Sequence, residues 1–356
     1  MPTHDVVIVG AGPAGSLAAL ALARAGRRVA LLDRSAFPRA KVCGNCLNPA
    51  AWEIWDALGL TESFAALPHR EMAGFDLYAE GRLLHRETFR PPRRGPRAIA
   101  RDVLDDWLRR EAEAAGAEFF QKTVVTAVNP AGSVETSRGT FSGDLVFGAD
   151  GRNSVVARLC GLMPPPRRCH RVAWQASIAA PEDLDDHVQM HVFEEGYFGY
   201  GRFNRDEAVV SMVLDARRSQ DPAEFIQRHF PGLPPQEWMR TNPISRAAAR
   251  TGMGRVWLVG DSARVVEPFT GEGIYFALKT ALMAADAAEE GLKRGDLDAA
   301  LAHYARAHRR LYRRRSWVNT LTHWALVTPG RTVRLLRRLR PQSELISFLS
   351  DRVHAV

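Results

Sequence analysis

Residues 6–15 read Val6-Val7-Ile8-Val9-Gly10-Ala11-Gly12-Pro13-Ala14-Gly15, and the fold follows from them. Four branched apolar residues without a polar interruption predict a strand buried on both faces, as in the middle of a parallel sheet. Residues 16–25 are strong helix formers, and Gly26 closes that helix. Residues 29–32, Val-Ala-Leu-Leu, predict a second strand, which Asp33 ends. In such a unit Gly10 makes the tight turn, Gly12 lets a pyrophosphate approach the backbone, and Gly15 lets the helix pack closely. The helix start, which Pro13 opens, presents the free N–H groups from Ala14 on and a positive dipole end to phosphate. Asp33 stands where an acid would accept from an adenosine ribose. Strand, turn, helix and acid together predict a dinucleotide site, without yet separating NAD from FAD.

The chain has 356 residues, enough for two domains or one domain with insertions. Its 46% hydrophobic and 25% charged residues are those of a globular protein. The first strand begins almost at once, leaving no room for a signal peptide, and no 18-residue apolar run exists. A cytoplasmic protein is expected. Cys43, Cys46, Cys160 and Cys169 are too few for a disulfide framework. Charge is uneven. Residues 301–356 hold twelve Arg against Glu344 and Asp351, a net +10, so the preceding 300 residues carry −2. Residues 330–340 place Val333, Leu336 and Leu339 on one side of a helix and Arg on the other. Such a helix either packs its apolar stripe on the body or makes a peripheral membrane contact. Nucleic acid is not expected, because no binding module accompanies the charge.

Further signals lie along the chain. Residues 37–47, Phe-Pro-Arg-Ala-Lys-Val-Cys-Gly-Asn-Cys-Leu, predict a loop. Cys43 and Cys46 could form a redox dithiol or half a zinc site; the spacing of Cys160 and Cys169 does not complete one, and no metal is expected. A cofactor-lining loop is the favoured reading. Residues 98–115 predict a helix with Arg101 at its start, where the dipole disfavours a cation unless an anion is near. Residues 144–148 predict a buried strand running into Ala149-Asp150-Gly151, and residues 255–259 another that delivers Gly260-Asp261. Pro268-Phe269-Thr270-Gly271-Glu272-Gly273-Ile274 opens a helix whose N–H groups can face an anion. Residues 172–178, 188–193 and 208–214 alternate with period two and predict antiparallel strands. Tyr197 and Tyr200 fall between two of them.

The glycine turn, the loop F-P-R-x-K-x-C-G, A-D-G and G-D with P-x-T-G-E-G-I together resemble the geranylgeranyl reductase family of flavoproteins, within the p-hydroxybenzoate hydroxylase superfamily. The resemblance covers residues 1 to about 295 and selects FAD. It implies an α/β fold: a Rossmann-like FAD-binding domain of p-hydroxybenzoate hydroxylase type, an inserted mixed or antiparallel substrate sheet, and C-terminal helices. The expected division is 1–70, 98–165 and 250–295 for FAD, 71–97 and 166–249 for substrate, and 296–356 as a basic helical segment.

Implied cofactor residues are Gly10, Gly12, Pro13, Ala14, Gly15, Asp33, Arg34, Lys41, Cys43, Gly44, Arg101, Val125, Asp150, Gly151, Asp261, Gly271, Gly273 and Ile274. Cys43 and Gly44 are the catalytic candidates beside the flavin ring. Asn45 stands where the family has a second glycine. Tyr197, Tyr200, His191 and Pro268 are the substrate-cavity candidates. The implied function is FAD-dependent redox chemistry on a hydrophobic isoprenoid or lipid-like molecule, with NAD(P)H or a ferredoxin-type donor as reductant and a monomer or dimer as the working form. The alternatives are an NAD(P)H- and O2-dependent monooxygenase of an aromatic or polyketide-like substrate, and a non-catalytic prenyl-binding protein. A halogenase would need a channel lysine; Lys41, Lys122, Lys279 and Lys293 are the only lysines, and none lies in the substrate segments.

Overall fold

Val6, Val7 and Ile8 are fully buried, which requires cover on both faces of their strand. The structure, a computed structural model, supplies it. It describes residues 4–89, 95–165, 169–182, 184–234, 236–241, 244 and 246–327; the basic stretch 330–340 lies outside them. The strand His4–Val9 runs parallel to Val29–Leu32 on one side and to Gly139–Gly148 on the other. Glu118–Phe120 and Val256–Leu258 extend the sheet, both also parallel. Val6 and Ile8 face a core shared with the helices Pro13–Arg24, Arg101–Ala114 and Gly273–Arg294. Val7 and Val9 face the opposite core, with Val134, Val146, Val156 and Leu258. The helix Pro13–Arg24 is buried on nearly every side, which explains its Ala- and Leu-rich sequence.

Parallel strands all deliver their following loops to one edge. Gly10, Asp33, the Ala149-Asp150-Gly151 turn and Gly260-Asp261 therefore converge there. This carboxyl edge is where open α/β sheets bind ligands.

A second, seven-stranded sheet has the order Met239–Thr241, Arg171–Ala179, Glu207–Asp215, Gly196–Arg202, His187–Phe193, Gly74–Ala79, Arg82–Thr88. It is mixed: His187–Phe193 and Gly74–Ala79 pair in parallel and the remaining neighbours are antiparallel. The segment with Tyr197 and Tyr200, expected between strands, is itself the strand Gly196–Arg202. Three glycines weaken its strand signal, and both neighbours supply the hydrogen bonds that hold it extended.

The helix Leu297–Val327 packs along Gly273–Arg294. Tyr304 is fully buried and donates its hydroxyl to the Leu258 carbonyl at 2.8 Å. Its ring stacks on Trp257, which stacks on Phe147; such pairs add about 0.5–1.5 kcal/mol each beyond burial. The opposite flank exposes His303, Arg306, Arg309 and Arg310. Among the described residues, no helix is long and apolar enough to cross a membrane.

Candidate functional site

The glycine turn separates what the protein needs from what a ligand would need. Gly10 has φ +104°, and a Cβ there would lie 2.5 Å from the Ala149 carbonyl oxygen. A Cβ at Gly15 would lie 1.8 Å from the Gly10 carbonyl oxygen. Both positions are fixed by the fold. Gly12 differs: its φ is an ordinary −78°, and a Cβ would meet only an Arg39 nitrogen, at 3.6 Å. No backbone contact demands glycine at 12, and the open space lies at the N-terminus of the Pro13–Arg24 helix.

Asp33 is buried, and its carboxylate accepts from the Ala11 N–H and the Ser35 N–H, each at 2.8 Å. It therefore ties the glycine turn to the end of the second strand. Its carbonyl accepts from Thr123, two residues before Val125, so the turn and Val125 border one region. Arg34 is exposed beside it.

Three acids end the central strands, and the fold uses them differently. Asp150, expected to hold cofactor, is engaged elsewhere. It accepts from the Ser154 and Ser262 hydroxyls and from the Val155 and Val156 N–H groups, so it caps the helix Val155–Leu159. Four donors leave it little capacity for a ligand. Gly151, at φ +81°, donates to the Ser262 hydroxyl. Asp261 is the reverse case. Its carboxylate has no hydrogen bond or ion pair among the described residues, and Arg246 grips the carbonyls of Asp261 and Ser262 from behind. That leaves the Asp261 side chain partly exposed and unclaimed.

The loop at 39–46 closes over this edge. Burial, with help from Arg101, lowers the Lys41 amine to about 8. Lys41 lies beside Gly151, whose Cβ position is 3.5 Å from the amine. Arg101 is buried, and Asp105 holds it with two hydrogen bonds, at 2.9 and 2.8 Å. Burial works against its charge, but Asp105 and the Cys43 sulfur more than offset this. Arg101, expected to contact FAD, spends two of its five N–H donors on Asp105 and reaches the Cys43 sulfur as well. The Cys43 N–H donates to the Gln175 side chain at 2.5 Å, and the Cβ position of Gly44 is 3.8 Å from the Ser211 hydroxyl, so the second sheet supports this loop. Asn45 takes φ +55°, the conformation its family glycine would favour.

Cys46 has a place that its sequence did not disclose. Gly271, at φ +65°, has its Cβ position 3.3 Å from the Cys46 sulfur, so Cys46 backs the turn Pro268–Thr270 and Gly271. Burial pushes its thiol up to about 12. The cysteines are free, and no metal-binding group exists among the described residues. Gly273 starts the 22-residue helix and Ile274 is buried behind it.

Of the cavity candidates, Tyr197 meets the turn that Pro268 begins, through Phe269. Tyr197 lies on the sheet face toward the loop, its ring edge-on to Phe269 at 5.3 Å. His191 and Tyr200 do not join them. Alternation puts both on the far face with Phe198 and Phe230, and His191 stacks on Tyr78. Burial lowers the His191 imidazole to about 4. A shift of one residue in register reverses the face, and the strand Gly196–Arg202 had no register until it was paired.

These features fit FAD: room for a diphosphate at Gly12, an unclaimed acid at Asp261, and a desolvated cation without an ion pair at Lys41. A family profile described as FAD binding domain matches residues 3–314. The chain belongs to the FAD-binding domain family. This FAD-dependent oxidoreductase is 32% identical over 316 residues to a menaquinone reductase of Mycobacterium tuberculosis, covering 79% of this chain and 76% of that one. It is 30% identical over 332 residues to a geranylgeranyl diphosphate reductase of Rhodobacter capsulatus, covering 86% and 81%. The resemblance to geranylgeranyl reductases is thereby shown. Pseudomonas aeruginosa PqsL, solved with 2-aminobenzoylacetate, shares the fold at TM-score 0.77 and 20% identity, over 94% of this chain and all of that one.

Two outcomes follow for this FAD-binding family member. Gly12→Val should yield folded but colourless protein, whereas Gly15→Ala should lose about 3 kcal/mol or more of stability, since its methyl has nowhere to go. Flavin content and thermal unfolding check them; a yellow Gly12→Val variant removes the diphosphate assignment. Lys41 gives a pH effect. Its amine is charged below about 8 and neutral above. An anionic cofactor beside it favours the charged form, so FAD affinity should fall as pH rises above about 8. Fluorescence titration should show a weaker slope in Lys41→Met; an unchanged slope takes Lys41 out of the site.

Proposed function

We propose that this flavoprotein reduces a hydrophobic, isoprenoid- or lipid-like substrate over the inner face of the seven-stranded sheet. The observation that carries this is the composition of that face. Under the Cys43–Gly44 loop, one cross-strand row reads Gln175, Ser211, Gly199, Met190 and Leu77. The next reads Ala173, Val213, Tyr197 and Val192. Small and apolar groups dominate, and the Arg171 cation at the end of the face is paired with Glu267. Such a wall offers burial to an apolar chain and few hydrogen bonds to a polar one. The two relatives, named for menaquinone and geranylgeranyl diphosphate, support the same substrate class.

FAD, when bound, supplies the two-electron chemistry, and the chain binds, orients and excludes water. Gly12 and the N–H groups of Pro13–Arg24 hold the diphosphate, with Lys41 balancing its charge. Val125 and Asp33 border the adenosine, and Asp261 accepts from a cofactor hydroxyl. Gly271, Gly273 and Ile274 present backbone at the helix N-terminus that would stabilise negative charge on the reduced flavin. Cys43 and Gly44 stand at the reacting face, with Arg101 positioning Cys43. Electrons come from NAD(P)H or a ferredoxin-type donor.

The test is anaerobic photoreduction of the bound flavin, followed by mixing with a polyprenyl quinone or a geranylgeranyl lipid, or with O2 and an aromatic acid. Rapid reoxidation by the polyprenyl compound without O2 is expected. Reoxidation only by O2, with oxygen inserted into the aromatic compound, would establish the monooxygenase alternative.

A lipid substrate must be collected from a bilayer, and the exposed flank at His303, Arg306, Arg309 and Arg310 suits an anionic one. No Asp or Glu occurs from 299 to 327. Each surface Arg gains about 1 kcal/mol near anionic lipid, screened by salt. Co-sedimentation with anionic vesicles at low salt is expected, and loss of it when Arg306, Arg309 and Arg310 are all changed to Ala. Equal pelleting with neutral vesicles rejects the electrostatic contact.

A further inference from the structure

Arg171, Tyr197 and Glu267 form a buried cluster that none of the preceding roles requires. Each is 5–7% exposed. The Arg171 guanidinium donates to both Glu267 oxygens, at 3.0 and 2.5 Å, and the Tyr197 hydroxyl donates to one of them at 3.1 Å. Arg171 begins the strand Arg171–Ala179, and Tyr197 lies on Gly196–Arg202. Glu267 is not in the sheet. It immediately precedes the turn Pro268–Thr270, and Phe269 of that turn meets the Tyr197 ring. Two donors from the substrate sheet thus grip the one carboxylate that leads into the turn.

A buried ion pair is a poor source of net stability, because desolvation offsets its attraction. It is a good source of fixed geometry and fixed charge, since each partner is costly without the other. Burial and the neighbouring Glu267 also hold the Tyr197 proton in place. At the end of the turn, the Cys46 sulfur lies 3.3 Å from the Cβ position of Gly271. The turn is therefore held at both its start and its end.

We infer that Arg171, Tyr197 and Glu267 are positioning residues that hold the Pro268–Gly271 turn against the substrate sheet and, through their balanced charge, set the redox potential of the flavin. This rests on the reading that the turn borders the flavin. It does not depend on which substrate is reduced.

The experiment measures flavin midpoint potentials by dye equilibration in FAD-loaded Arg171→Met, Arg171→Lys, Tyr197→Phe and Glu267→Gln, with thermal unfolding alongside. Loss of the Arg171 cation disfavours added electrons, so Arg171→Met shifts the potential down. Tyr197→Phe keeps its shape, loses one donor and shifts down less. Glu267→Gln leaves the guanidinium unmatched and shifts up. Arg171→Lys keeps the charge and stays nearest the parent. If Arg171→Met fails to fold, the opposite shifts of Tyr197→Phe and Glu267→Gln carry the same test. Potentials equal to the parent in those two, with only the unfolding temperature lowered, overturn the inference. No substrate enters the measurement, so a wrong substrate class leaves these potentials unchanged.

Discussion

The closest constraint in the molecule is the contact of Gly15 with the Gly10 carbonyl, where a single methyl would lie 1.8 Å from the oxygen. It brings the first helix down onto the turn and so fixes where the helix N-terminus points. Everything at the carboxyl edge is arranged around that end. Asp33 bonds the turn from one side, and a Cβ at Gly10 would meet the Ala149 carbonyl on the other. Gly260 comes close enough that its own Cβ would touch Ala14 at 3.0 Å. The free space left at Gly12 is what remains once the protein's own contacts are made.

The distribution of charge at this edge follows from hydrogen-bond capacity. Asp150 is filled by four backbone and hydroxyl donors, and Asp33 accepts from two backbone N–H groups, so both organise the loops. Asp261 keeps its carboxylate unclaimed because its loop is held through carbonyls, by Arg246. The cations divide in the same way. Arg101 is committed to Asp105, while Lys41 is desolvated without an ion pair among the described residues. A buried group that is already paired is structural; one desolvated without a partner is disposed to meet a ligand.

The seven-stranded sheet supplies the other side. Its inner face touches the 39–46 loop through Gln175 and Ser211, and the segment Glu267–Gly271 through Arg171 and Tyr197. Its outer face is an ordinary core in which His191, Phe198 and Phe230 pack. The two faces differ in function only because strand alternation sends neighbouring residues opposite ways.

Local sequence determined the βαβ unit, since branched residues at 6–9, glycines at 10, 12 and 15, and Asp33 each act within about thirty residues of one another. It also determined the strands leading to Asp150 and Asp261, whose apolar runs need no distant partner to be read. The FAD assignment rested on several such motifs in order, and the family match bears it out. Tertiary structure alone decided which acid is free, because the Asp150 donors include Ser262, 112 residues away. It alone decided that Tyr197 faces the loop while Tyr200 and His191 do not, because register comes from pairing with 189–193 and 208–214. Cys46 under Gly271, and Glu267 between Arg171 and Tyr197, join residues too far apart in the chain for any spacing rule to connect. Periodicity and turn chemistry are local properties; the partner of a buried polar group is not.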